Sequence, residues 1–246
     1  MPAPAPLLIA ATVATAAAGG ALAYAMLEPG SQLLGPTLIA GSDPQQVALT
    51  YDDGPNAAAP GAGTDALLDL LATHNARATF FMIGRFVRQQ PALARRVQAA
   101  GHLIGNHTET HPWLHLRSEA IIREELRACN AALEDTLGQP VRYFRPPHGA
   151  RRSAVLRIAR ELGLTTVQWN VMAKDWQPLS AQAILARVDA GIALRRRQGR
   201  AANVLLHDGG DTAMGTDRSK TIKVTAQLLK RFAQNGTSLV TVDAWG

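Results

Sequence analysis

Past Pro44, short runs of β-branched and aromatic residues alternate with longer stretches in which apolar side chains recur every three or four positions. The short runs predict strands over residues 47–51, 78–83, 102–105, 141–145, 165–171, 203–206 and 238–242. The helical period predicts helices over 64–74, 91–100, 118–137, 152–162, 180–198 and 219–234. Thr64, Ser118 and Ser180 stand where N-caps are needed, and Gly101, Gly138, Gly163, Gly199 and Gly236 follow helices as C-terminal glycines do. Strands alternating with helices in this way predict an α/β chain with a largely parallel sheet and crossover helices. An open doubly wound sheet and a barrel both satisfy the pattern. In either one, chemistry gathers at the carboxyl ends of the strands. Asp52, Asp53, His107, His111, Arg145, Asp175 and His207 all fall at such ends. With no internal repeat and no second linker, residues 41–246 read as one domain.

Residues 1–40 read differently. The stretch 7–27 is 21 residues without a charge, about what a bilayer-spanning helix needs, although nine of them are alanine. Ala21-Leu22-Ala23 and Ala23-Tyr24-Ala25 resemble small-residue cleavage sites, while Met1 to Pro6 lacks the basic side chains of a signal peptide. The expectation is a signal peptide or membrane anchor plus linker, an exported protein of the cell envelope, and membrane contact through residues 7–27. Composition supports a packed domain: 47% of the 246 residues are hydrophobic and 18% charged. Lysine and arginine outnumber acids 25 to 19, and the excess lies in the body because the first 37 residues carry only Glu28. Arg195, Arg196, Arg197 and Arg200 suit an anionic polymer, a membrane surface or simply a solvated helix end. No nucleic-acid partner is expected, and a monomer is. The single cysteine, Cys129, rules out an intrachain disulfide and a thiolate zinc site, and inside a helical run it reads as a small buried residue.

Four strings carry chemistry. In Thr50-Tyr51-Asp52-Asp53-Gly54-Pro55, two adjacent carboxylates at a strand end stay ionised only if a cation or donors compensate them. One of the pair can bind a metal while the other faces water. His107-Thr108-Glu109-Thr110-His111 places two histidines four apart, so that they meet on a helical face or converge across a tight loop. Two histidines and a carboxylate leave coordination positions open, as a catalytic metal site requires. Glu109 reads as a surface acid, and His74, His102 and His115 as structural. Arg145-Pro146-Pro147-His148-Gly149 is a rigid strand end whose arginine could grip a carboxylate bidentately. His207, emerging from the apolar Leu205-Leu206, could donate a proton to a leaving group.

Together these strings resemble the polysaccharide deacetylase family with the NodB-homology domain, carbohydrate esterase family four. The resemblance runs from about Val47 to Val242 and also takes in Ala78-Thr79-Phe80-Phe81, Asp175-Trp176 and Asp217-Arg218-Ser219. It implies a distorted (β/α) barrel of about seven parallel strands and one divalent ion, zinc first, with cobalt, nickel or manganese as substitutes. It implies removal of N-acetyl groups from glycans containing N-acetylhexosamine, of peptidoglycan or chitin type. Carried over by position, Asp53, His107 and His111 are the metal ligands, Asp52 the base, His207 the acid and Arg145 the residue orienting Asp52. Tyr51, His148, Trp176 and Leu205 fall at the substrate, with the His148 N–H toward the oxyanion and Leu205 and Trp176 walling the acetyl group. Two departures stand out. Met172 occupies a position where the family commonly has aspartate, leaving Asp175 or Asp208 to tune His207, and His148 replaces a common tyrosine or phenylalanine. An O-acetyl esterase on xylan-like polymers and a weakened, glycan-binding homologue are the competing expectations.

Overall fold

A computed structural model describes residues 19–246. Its central strand, β1 (Gln46–Gly54), is buried on both faces from Val47 onward. Alternation along it divides the molecule. Val47, Leu49 and Tyr51 join the main apolar core beneath the helices. Ala48 packs in a separate inner cluster, and Thr50 and Asp52 bond to Arg145. β2 (Thr79–Met82), β3 (Leu103–Asn106), β4 (Tyr143–Phe144) and β5 (Thr165–Thr166) extend the sheet on one side. β7 (Ala202–His207) and then β6 (Val171–Met172) extend it on the other, giving the order β5-β4-β3-β2-β1-β7-β6 with every pairing parallel. A short β8 (Ser238–Leu239) pairs with the start of β1. The crossovers are α1 (Thr64–Thr73), α2 (Gly84–Gln89), α3 (Pro91–Ala99), α4 (Glu119–Leu137), α5 (Ser153–Glu161), α6 (Ala181–Arg197) and α7 (Ser219–Asn235).

The expected strand over 165–171 is in fact two strands, and the break decides the architecture. β5 and β6 lie at opposite edges of the sheet, yet only residues 167–170 separate them. Laid flat, seven strands would put those edges about 29 Å apart at ~4.8 Å per step. So short a connection spans at most about 17 Å. The sheet therefore curls until its edges approach, as a half-barrel rather than an open sheet. Leu38 closes the seam: its N–H donates to the Thr166 carbonyl at 2.9 Å and its carbonyl accepts from the Gln168 N–H at 2.8 Å. Beneath, Ala48, Phe81, Val167 and Val242 fill the narrow interior, with Leu38 and Trp245 against them.

Local signals fare unevenly. Ser118 and Ser180 cap α4 and α6, accepting from the N–H groups of Ile121 and Ala183. Gly138 and Gly236 end α4 and α7 in the left-handed region, at φ 67° and 69°. Thr64 is the first residue of α1 instead of its cap, and its hydroxyl bonds to Asp208 at 2.5 Å. Helix α2 was not expected, because six residues are too few to show a period. The strand over 238–242 stops at Leu239, and Val242–Trp245 coils into a 3₁₀ turn. Much of the expected 7–27 anchor lies outside the described residues. Within it, residues 19–27 are helical, with Leu22, Tyr24 and Leu27 exposed. Among the described residues no helix is long and apolar enough to cross a membrane. Replacing the cap in Ser118→Ala should cost about 1 kcal/mol. Urea unfolding should show it as a lower midpoint with an unchanged slope.

Candidate metal centre

The register of β1 places the site. Asp52 pairs with His207 on β7 and with Phe81 on β2, so an acid and a histidine meet at neighbouring strand ends. Opposite β2 the register slips between Asp52 and Gly54, leaving Asp53 as the extra residue with φ 74°. A regular strand would send consecutive carboxylates to opposite faces; the bulge turns both into one pocket. Tyr51 obeys the alternation instead. It is fully buried on the helix side, where its hydroxyl bonds to Thr225 of α7 at 2.9 Å and its ring stacks on Phe80. The expectation that it touches substrate is therefore corrected: it is a core residue, and burial raises its pKa.

His107 and His111 converge across a loop and not along a helix. Thr108 and His111 hold φ of 65° and 63°. Asn106 Oδ1 accepts from the Thr108 N–H at 2.7 Å, Thr108 Oγ1 accepts from the His111 N–H at 3.0 Å, and Glu125 of α4 grips Thr110. His107 Nδ1 donates to the Arg145 carbonyl at 2.8 Å, leaving Nε2 with its lone pair toward the pocket. Asp53 Oδ1 lies 3.4 Å from His107 Nε2 and 3.3 Å from His111 Nε2. This oxygen is buried without a hydrogen-bond partner. A buried carboxylate oxygen flanked by two imidazole nitrogens and left unpaired is costly unless a cation fills the gap. One ligand atom from each of Asp53, His107 and His111 falls within 4.8 Å of the others. The set fits a divalent ion held by two nitrogens and one oxygen. Although burial alone would raise the Asp53 carboxyl pKa, the His107, His207 and His111 side chains bring it well below its usual range. Glu109 points away and pairs with Arg88, as a surface acid should.

The supporting residues flank this cradle. Arg145 is wholly buried inside the barrel, where its Nη1 donates to Asp52 Oδ1 and to Thr50 Oγ1, each at 2.8 Å. The expected two-pronged grip is thus a single contact, because the other prong faces carbonyl and amide oxygens of Gln168 and Asn203. On the far side, His207 Nδ1 bonds to Asp175 Oδ1 at 2.8 Å, while Asp175 Oδ2 accepts from the His207 N–H at 2.9 Å and from the Thr221 hydroxyl at 2.7 Å. Asp175 is therefore the carboxylate that holds His207, and Met172 only lines the pocket. Burial would lower the His207 pKa, but the Asp175 carboxylate outweighs it and raises it to about 9. Asp208 plays no such part. Its carboxylate packs against Gly54 and bonds to Thr64, and burial pushes its pKa up to about 7. His148 keeps an aromatic role despite replacing tyrosine or phenylalanine: its ring stacks on Trp113 with centroids 3.8 Å apart.

A family model described as polysaccharide deacetylase matches residues 40–167, just over half of the sequence. The chain belongs to this family. A chitooligosaccharide deacetylase of Rhizobium leguminosarum bv. trifolii is 35% identical over 206 residues, covering 81% of this chain and 91% of its own. The Bc1960 peptidoglycan N-acetylglucosamine deacetylase superposes with a TM-score of 0.73 at 28% identity, covering 84% of this chain and 90% of that one. BA3943 from Bacillus anthracis, described as a pseudoenzyme of carbohydrate esterase family four, superposes at 0.68 with 28% identity over 81% of this chain and 64% of its own.

Within the deacetylase fold the pocket, about 340 Å³, brings together Asp52, Asp53, His107, His111 and His207 with Leu205, Trp176 and His148. It also takes in Trp113, Trp169, Asp211 and Arg218, which sequence reasoning did not single out. Trp113 had a usable signal, an aromatic two residues past His111, and Arg218 stands inside the Asp217-Arg218-Ser219 string. Trp169 and Asp211 had none, since only folding brings them near; Asp211 Oδ2 lies 3.6 Å from His111 Nδ1. His107→Ala should abolish stoichiometric zinc binding measured by metal analysis. Gly209→Ala should weaken it, because a Cβ there would sit 2.0 Å from the Asp53 carbonyl oxygen and displace the bulge.

Proposed function

We propose that this protein removes N-acetyl groups from N-acetylhexosamine-containing glycans, peptidoglycan or chitin-type oligosaccharides, with zinc as its ion. The carrying observation is the placement of a carboxylate and an imidazole, each with its own buried partner, on either side of the Asp-His-His cradle: Asp52 held by Arg145, and His207 held by Asp175. A divalent ion in that cradle supplies Lewis acidity, polarising the amide carbonyl and lowering the pKa of water. Asp52, a buried carboxylate with one oxygen committed to Arg145, takes the proton of the attacking water. The His148 N–H faces the oxygen on which negative charge develops, a contribution of about 3–4 kcal/mol for a well-aimed donor. His207, kept protonated by Asp175, delivers a proton to the departing amine, which leaves poorly as an anion. Leu205 and Trp176 line the acetyl side, and the half-exposed faces of Trp176 and Trp113 suit the apolar face of a pyranose ring.

The pseudoenzyme relative motivates one alternative, a glycan binder without turnover. Against it stands Asp175, which supplies the carboxylate that Met172 lacks. We place the protein at the cell envelope; the uncharged stretch 7–27 supports that placement.

Zinc-loaded protein should release acetate from chitin oligomers or peptidoglycan, and Asp52→Asn should lose at least about 100-fold in kcat while still binding zinc. No release by the wild type from either glycan would sink the reading. The raised His207 pKa sets the pH response: the acid is present below about 9, and kcat/KM should fall as pH rises through that value. The stability gained from the same pair is complete below the unfolded histidine value and fades over the same rise. Asp175→Asn should move the alkaline limb to lower pH; a limb that stays in place counts against His207 as the acid.

A further inference from the structure

Arg151 is buried almost as deeply as Arg145, at 1% exposure, but among the described residues no carboxylate forms a direct ion pair with it, and Glu28 acts on it only from a distance. Nη1 donates to the Gly149 carbonyl at 3.0 Å, while Nη2 donates to the carbonyls of Glu28 at 2.8 Å and Ser31 at 2.7 Å, with Pro29 farther off at 3.4 Å. Its backbone N–H donates to the Met26 carbonyl at 3.0 Å. Burial lowers the guanidinium pKa and the Glu28 charge only partly counters it, so holding the cation here costs free energy that the carbonyl acceptors help to offset. Part of the offset is local. Met26 and Glu28 stand at the carboxyl end of the helical stretch 19–27, where unpaired carbonyls and the negative end of the helix dipole favour a cation. The rest comes from the other end of the guanidinium, which reaches the turn beside the Asp53-His107-His111 cradle.

That turn, Pro147–Gly149, is held in an unusual conformation. His148 and Gly149 take consecutive left-handed φ of 59° and 67°. A non-glycine residue keeps such a φ only where its surroundings over-determine it. Here the Gly149 carbonyl accepts two buried donors, Arg151 Nη1 and Gln168 Nε2, the latter at 3.1 Å. A Cβ on Gly149 would meet the Trp169 ring at 2.6 Å, so the turn is also packed without slack. The His148 N–H belongs to the peptide just before this pinned unit.

We propose that Arg151 is a positioning residue that couples the N-terminal strap, residues 26–31, to the Pro147–Gly149 turn, so that docking of the strap sets the aim of the His148 N–H. The coupling rests on the deacetylase reading for its effect on rate, but not for its existence. One side chain bonds both segments, and no other side chain among the described residues donates to the carbonyls of both Glu28 and Gly149. A donor aimed at developing charge acts in the transition state more than in the ground state, so its misplacement lowers kcat and leaves KM nearly unchanged.

The test uses the full chain loaded with zinc, as wild type, Arg151→Lys and Arg151→Gln. Bound zinc, kcat and KM on a chitin oligomer, and amide exchange in peptides covering 26–31 and 146–150 are measured. The expected result is full zinc occupancy, a kcat about 10- to 100-fold lower for Arg151→Gln, within the loss known for removing an oxyanion donor, and KM within about threefold. Arg151→Lys, which keeps the charge but not the fork, should fall between that variant and wild type. Exchange should rise in both peptides together. A kcat within about twofold of wild type, or faster exchange in only one peptide, overturns the proposal. Should the variants fail to fold, exchange in the wild type across sub-denaturing urea decides it: a common opening of the two segments supports the coupling, and separate openings refute it. If the wild type releases no acetate, the deacetylase reading fails while the exchange result still judges the coupling.

Discussion

A cation buried inside a barrel underlies most of what this fold does. Arg145 has no exposure to water, and its charge is met by Asp52 at 2.8 Å. Breaking such a buried pair by removing one partner costs about 3–5 kcal/mol. The pair also explains the inner face of the sheet. Thr50 is a threonine where an aliphatic residue would pack, because the guanidinium needs its hydroxyl. Asn203, also inward on β7, spends its amide on the carbonyls of Ile39 and Gln168 and lends its oxygen to Thr50. Phe81 lies under the guanidinium with its ring centroid 4.2 Å away. The interior is thus apolar at the base and a hydrogen-bonded network toward the mouth, and the network ends in the carboxylate of Asp52.

Backbone irregularity is concentrated where that network opens. Of the six non-glycine residues with positive φ among the described residues, Asp53, His111 and His148 line the pocket, Thr108 and Lys174 lie within two positions of residues that line it, and only Asn75 lies elsewhere. Lys174 precedes the Asp175 that holds His207; the others are candidate ligands or residues in contact with them. Regular strands and helices deliver side chains at fixed intervals, and five groups converging on one point need departures from those intervals. The stable outer layer, with its large apolar core, lets the chain hold these conformations.

The two sides of the site draw on separate hydrogen-bond partners. Arg145 and Asp52 belong to the barrel interior, whereas Asp175, Thr221 and His207 join β7 and the loop after β6 to the start of α7. Asp52 and His207 therefore each have their own buried partner, Arg145 and Asp175. Adjacent strand ends on β1 and β7 are enough to bring the two groups together.

Much of this was legible from the amino-acid string. Period and punctuation marked most elements, because apolar spacing and capping residues act over a few positions. The convergence of Asp53, His107 and His111 into a set that fits a divalent ion was legible because its members lie in two short strings of chemically distinctive residues. What local pattern could not supply was everything set by contacts across the chain. The run over 165–171 is one apolar stretch in sequence, and only closure of the sheet splits it between two edges. Tyr51 neighbours Asp52 in sequence but faces the opposite side, and Asp53 escapes that alternation only through a bulge against β2. Asp175 as the partner of His207, Trp113 beneath His148 and Arg151 under the strap depend on separations of 32, 35 and 123 positions respectively. Sequence alone determined which chemical groups are present and in what local conformation they begin. Tertiary structure decided which of them meet, because burial and strand register, not proximity along the chain, set their distances.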